Sequence, residues 1–151
     1  MYINAFGEEL MINNAEQAIA SAASKTGIEI TDYTAAPQFM SVQGCHVWAI
    51  EFNDPLRNPE SPDFQPQAVE DFAELLDTEI QKLNSDYEAK RSPGSTMQRL
   101  KILPLAPGTF YRWMESRGKT GGQNKVPRLW KDLKYIDQLK NMSGPKDSSG
   151  T

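Results

Sequence analysis

The 151-residue chain has one cysteine and one histidine. A lone Cys45 excludes an internal disulfide, and with His46 as the only imidazole no histidine-based metal cluster or charge-relay site can be built within the chain. Both lie in the apolar run Cys45-His-Val-Trp-Ala-Ile50, where a buried, inert thiol and a satisfied, partly buried histidine are expected. No apolar stretch approaches the roughly 18 residues a membrane helix needs. The N-terminus lacks the basic-then-apolar layout of a secretion signal, so a cytoplasmic protein independent of membranes is expected. Internal repeats are absent as well. A sequence pI of about 5.0, with no aromatic-rich basic strand, argues against nucleic acid as a partner.

What remains has the makings of a single α+β domain. Residues 2–6 read as a short strand closed by Gly7. Asn13 and Glu16 have capping-box spacing, and Ala15, Ala18, Ile19 and Ala22 form a helical stripe stopped by Gly27. The alanine stripe should pack closely against a sheet. Ile28 to Thr34 alternates as a strand that Pro37 should end. Val42 to Phe52 reads as a central strand, with Val47 and Ala49 on one face and Trp48, Ile50 and Phe52 on the other.

Four prolines make residues 54–66 an irregular loop, and Pro66 opens a helix carrying Val69, Phe72, Ala73, Leu76, Ile80 and Leu83. Ser92 to Thr96 is a loop, and Leu100 to Leu105 a strand. Thr109 should cap a short helix with Phe110, Trp113 and Met114, stopped by Gly118. Lys119 to Asn124 reads as a mobile loop and residues 130–142 as a last helix. The expected order is β-α-β-β-α-β-α-α around a small mixed sheet of about three or four strands. Residues 1–142 form one domain, and residues 143–151 a disordered tail.

Charge is segregated. Residues 51–88 hold eleven acids against Arg57 and Lys82, whereas residues 99–140 hold ten bases against Glu115, Asp132 and Asp137. Either one end of the domain faces an anion or an acidic surface, or two solvated helix faces carry opposite signs. Within the basic half, Lys125 follows the glycine-softened stretch Gly121-Gly-Gln-Asn124 and precedes Val126-Pro127. A flexible loop presenting an ammonium suits transient engagement of phosphate. Gln123 and Asn124 can donate hydrogen bonds to ligand oxygens, or serve only loop solvation. Arg128 can pair with phosphate or with a carboxylate of the acidic half, and the second is expected. Trp113 and Trp130, which flank the loop, read as core or interface anchors. Gly118-Lys119-Thr120 is no phosphate-binding loop, because Trp113 stands where a glycine is required and a helix, not a strand, precedes it.

Two blocks carry a family likeness. The opening Ile3-Asn-Ala-Phe-Gly-Glu-Glu-Leu-Met-Ile-Asn-Asn-Ala-Glu16 and the later Pro107-Gly-Thr-Phe110, Gly118 and Gln123-Asn-Lys-Val-Pro-Arg128 frame about 125 residues. In that order they resemble the C-terminal domain of the Gretchen Hagen, auxin-responsive, acyl-acid amido synthetases, within the acyl-adenylating superfamily. The dense opening, with structure expected from its first residues, reads like the middle of something larger.

The resemblance implies a small mobile lid that serves a large N-terminal ATP-binding domain, in cis or as a separate chain. That enzyme would be a ligase activating a small carboxylic acid with ATP and magnesium, then passing the acyl group to an amine such as an amino acid. Lys125 would be the catalytic residue reaching the nucleotide phosphates, with Gln123 and Asn124 beside it. Phe6, Gly7, Glu8 and Glu9 would form the post-hinge segment facing the active site, where Glu8 or Glu9 positions the amine or remains a solvated turn. Alone, the chain would be inactive, binding ATP weakly or not at all, and neither cofactor is expected on it. Residues 54–66 and the segment after residue 130 depart from the plant pattern, which points to a bacterial relative. The competing reading is a stand-alone α+β interaction module whose basic end binds an acidic protein or a small anion.

Overall fold

A computed structural model describes residues 2–118 and 125–143. The chain runs β1 (Tyr2–Ile3), β2 (Leu10–Met11), α1 (Ile12–Thr26), β3 (Ile30–Phe39), β4 (Gly44–Phe52), a single 3-10 turn at Pro55–Arg57, α2 (Pro66–Leu83), α3 (Ser85–Arg91), β5 (Lys101–Leu105), α4 (Thr109–Ser116) and α5 (Lys134–Met142). This is the expected mixed α+β architecture, with β2 and α3 added. The mobile loop expected at Lys119–Asn124 lies outside the described residues, as do residues 144–151 of the tail expected at 143–151.

The main sheet has the order β3-β4-β5, with β3 antiparallel and β5 parallel to β4. A parallel neighbour needs a long crossover, and α2 with α3 supplies it. β4 is covered on both faces, as its doubly apolar pattern requires. Trp48, Ile50 and Phe52 join α1 and α2 in one core, while Ala49 joins Leu105, Phe110, Trp113, Ile136 and Leu139 in a second. Helices therefore lie on both sides of the sheet.

Several boundaries differ from expectation for local reasons. β3 does not end at Pro37 but continues to Phe39. Along β3 the amide of Ala35 points away from β4, to the carbonyl of Arg128 at 2.9 Å. With a two-residue period, the missing N–H of Pro37 falls on that same outer side and costs the β4 ladder nothing. β4 begins at Gly44, since Val42 lies at the hairpin tip, 88% exposed. α1 starts at Ile12, and Asn14 Oδ1 accepts from Met11 N at 3.1 Å, so Asn13 and Glu16 form no cap. Nor does Thr109 cap α4. Gly108 takes that position with φ +85°, and the buried Glu51 on β4 accepts from Gly108 N and Phe110 N at 2.9 and 3.0 Å. A carboxylate at a helix N-terminus answers both the unpaired amides and the dipole. The last helix begins at Lys134 rather than near Trp130.

α1 is held along α2 by small residues and by Glu79, which accepts from Ser21 Oγ and Lys25 Nζ at 2.8 Å and from Lys82 Nζ at 3.1 Å. The Lys25 ammonium, together with Ser21 and Lys82, outweighs burial and holds the Glu79 carboxyl down at about 2. Its stabilising effect is thus complete above the ordinary carboxylate value of 4.5 and fades as pH falls toward 2. Glu79→Gln is expected to lower the thermal midpoint by a few degrees at pH 7, with the gap to wild type closing near pH 2. Parallel melts at the two pH values check this.

Candidate functional site

Lys125 is exposed, and its amine makes no ion pair among the described residues. The residues after it are fastened. Val126 enters the second core, and Leu129 is fully buried. The Pro127 carbonyl accepts from Thr34 Oγ1 at 2.6 Å, and Trp130 N donates to Ala35 O at 3.0 Å. Leu129 thereby forms a parallel bridge to Ala35, covering the outer edge of β3 at that rung. An exposed cation is thus presented from a stem fastened by burial and hydrogen bonds.

Arg128 secures the same stem from the side. Its guanidinium pairs with Asp32, donates to Tyr33 O at 3.1 Å, lies 3.4 Å from Glu16 and stacks 4.6 Å from the Tyr33 ring centre. The Tyr33 hydroxyl in turn donates to Glu16. Burial, then this bond to a carboxylate, pushes the Tyr33 phenol well above its ordinary value, so it stays a donor. Arg128 does pair with acids, but not with the acidic half expected. Asp32 and Glu16 lie outside residues 51–88, and no local pattern in the sequence links residues about 95 positions apart.

Part of the acidic half is committed internally. Glu51 caps α4, and Asp77 accepts from Tyr87, Arg91 and the Leu100 amide. Glu79 bridges α1 and α2, and Glu70 pairs with Arg99 at 2.5 Å. Trp113 and Trp130 meet the edge or face of one ring, Tyr135, with centres 5.8 and 5.2 Å away. The two anchors on either side of residues 119–124 are therefore fastened to one helix, α5. Gln123 and Asn124 lie outside the described residues.

The post-hinge segment sits elsewhere. Gly7 has φ +85°, and an added Cβ would meet Lys90 at 3.0 Å. The Phe6 ring covers Gly44, where a Cβ would come within 2.1 Å of it, and lies 5.1 Å from Phe39. Glu8 turns inward and is fully buried. One carboxylate oxygen accepts from Phe6 N at 2.6 Å, and the other meets His46 Nε2 at 2.6 Å. Of the two acids in this turn only Glu9 stays at the surface, with φ +42°. Glu8 is thus placed as an internal partner for the lone histidine, which is itself fully buried. The turn lies over the Phe39–Gly44 end of the hairpin, whereas the Lys125 stem runs beside Thr34 and Ala35. Four residues of β3 separate the two, about 13 Å at roughly 3.3 Å per residue. Within this chain they do not form one site. Cys45 is buried against Gln38, and burial pushes its thiol up, in keeping with an inert role.

Comparison with known proteins adds the context. The model of the GH3 family C-terminal domain matches residues 13–134. Among solved structures, the fold resembles AtGH3.15 acyl acid amido synthetase in complex with 2,4-DB, with a TM-score of 0.71 and 18% identity over 95% of this chain and 26% of that one. It also resembles GH3.15 acyl acid amido synthetase, with a TM-score of 0.69 and 19% identity over 92% of this chain and 25% of that one. The chain spans about a quarter of the length of these solved structures. A comparison with curated protein sequences gave no match.

Proposed function

The chain belongs to the GH3 family as its C-terminal domain, and on that premise we propose that it is the mobile lid of an ATP-dependent acyl-acid amido synthetase. The observation that carries the reading is an exposed Lys125 on a pinned stem, inside the span that matches the family model. An ammonium with no ion pair among the described residues matches the negative charge of nucleotide phosphates. Its work is to offset charge developing around the α-phosphate and the departing pyrophosphate. ATP is the substrate that activates a carboxylic acid, whose acyl group then passes to an amine. Magnesium enters with ATP; among the described residues no three His, Cys, Asp or Glu side chains are grouped to hold a metal. Gln123 and Asn124 serve as hydrogen-bond partners beside Lys125, and Glu9 supplies the outward-facing acid of the post-hinge turn.

Closing over the large N-terminal domain brings in Lys125 and excludes water from a hydrolysable acyl-adenylate. Alone, the chain is inactive. Among the described residues no helix is long and apolar enough to cross a membrane. The test is a titration of this chain into the large N-terminal portion, with ATP, magnesium and a carboxylic acid. ATP–pyrophosphate exchange is expected only when both parts are present, with ATP-dependent association. Full exchange by the large portion alone would remove the lid role, and association without any effect on exchange would favour an interaction module.

A further inference from the structure

We propose that Arg128 is a positioning residue for Lys125, acting through the stem that joins them. The inference rests on the reading of Lys125 as the nucleotide-facing cation. Lysine is a compact charge on a flexible four-carbon arm, so the place where its backbone is held sets where that charge can reach. Three positions along, Arg128 joins α1 and β3 at once: Asp32 and the Tyr33 carbonyl from the strand, Glu16 from the helix, and the Tyr33 ring beneath the guanidinium plane. Its Nε and Nη1 are turned to these groups, while the side chain keeps 39% of its surface exposed. On this proposal Arg128 works by holding the stem rather than as a phosphate ligand. Between the two residues, Val126 is buried and the Pro127 carbonyl is bound by Thr34, which leaves little freedom for the stem to swing. Precise placement of a charge matters most in a transition state, where a small displacement costs rate more than binding.

Two experiments test the clamp. In the enzyme that joins this chain to its large domain, Arg128→Ala is expected to lower kcat for ATP–pyrophosphate exchange about tenfold, while KM for ATP stays within about threefold. Arg128→Lys recovers little, because an ammonium cannot bridge Asp32 and Glu16 while stacking on Tyr33. In a Lys125→Ala background, Arg128→Ala should add no further loss. On this chain alone, Arg128→Ala should speed amide hydrogen exchange at residues 125–130 and leave β4 unchanged.

Equal losses in both backgrounds would overturn the proposal, as would a lowered melting temperature with kcat per folded molecule unchanged. If Lys125→Ala abolishes exchange but Arg128→Ala is normal, the clamp fails and the lid reading stands. If Lys125→Ala is normal, the lid reading itself fails and takes the clamp with it. Should Arg128→Ala not fold, Asp32→Asn carries the same comparison, since it removes the charge partner and keeps the volume.

Discussion

Lys125→Ala should reduce adenylate formation by roughly 100- to 1000-fold, the usual cost of removing one charge-stabilising donor from a water-excluded site. The fold should be untouched. The side chain is exposed and pairs with nothing among the described residues, so its loss falls in the class of surface changes worth within about 0.5 kcal/mol. The pair of measurements is therefore sharp: ATP–pyrophosphate exchange collapses while the thermal midpoint stays put. Because the charge acts as the pyrophosphate leaves, the loss should appear in kcat more than in KM for ATP. Lys125→Arg should recover only part of the rate, since a planar fork on a longer arm cannot occupy the place of a compact ammonium. Exchange at the wild-type rate in Lys125→Ala would remove the assignment. A large drop in stability would show that the amine is engaged in the fold and not held for a ligand.

The parts of this architecture legible in sequence were those fixed by short-range periodicity. The α2 stripe from Val69 to Ile80, the two apolar faces of β4 and the Gly27 stop of α1 follow from spacing and backbone preference alone. Boundaries failed where tertiary pairing overrode a local rule. Pro37 looked like a strand end, but its neighbours place the missing donor on an edge. Glu16 looked like a capping residue, but Tyr33 and Arg128 take it up. Glu51 counted only as one of the eleven acids of residues 51–88. Only the fold reveals that it sits under the first turn of α4. At the candidate site the ammonium was visible because a proline and glycines bracket it. The clamp behind it was not, because Asp32, Thr34 and Arg128 meet only after β3 and the segment after Lys125 lie side by side. The charge split pointed toward an external anion, yet part of its acidic half is consumed by internal bonds.

Glu8→Ala should destabilise the chain by about 1–3 kcal/mol, the cost of leaving a buried hydrogen-bonding group without its partner. The loss is compound. His46 Nδ1 already lacks a partner, so without Glu8 the buried imidazole has no hydrogen bond among the described residues. The Phe6 amide loses its acceptor as well. Burial alone would push the Glu8 carboxyl up, but the bond and charge of His46, with backbone N–H groups, outweigh it and hold the carboxyl below its ordinary value. An ionised Glu8 only accepts, so Nε2 carries the proton between them. The sign for pH follows. A depressed carboxyl contributes fully above the ordinary value of 4.5 and loses that contribution as pH falls through its lowered value in the folded chain.

Denaturant unfolding of wild type and Glu8→Gln from pH 7 downward should therefore show a gap that closes only in acid. Glu8→Gln should cost less than Glu8→Ala, because an amide oxygen can still accept from the imidazole. The same pair fastens the post-hinge turn to the β3–β4 hairpin, where Phe6 closes over Gly44. Loss of Glu8 should accordingly speed amide exchange in residues 6–9 and in the hairpin tip before the rest of the sheet responds. A gap that stays constant across the acid range would show that the carboxylate charge contributes nothing here. The turn would then be held by Phe6 packing alone.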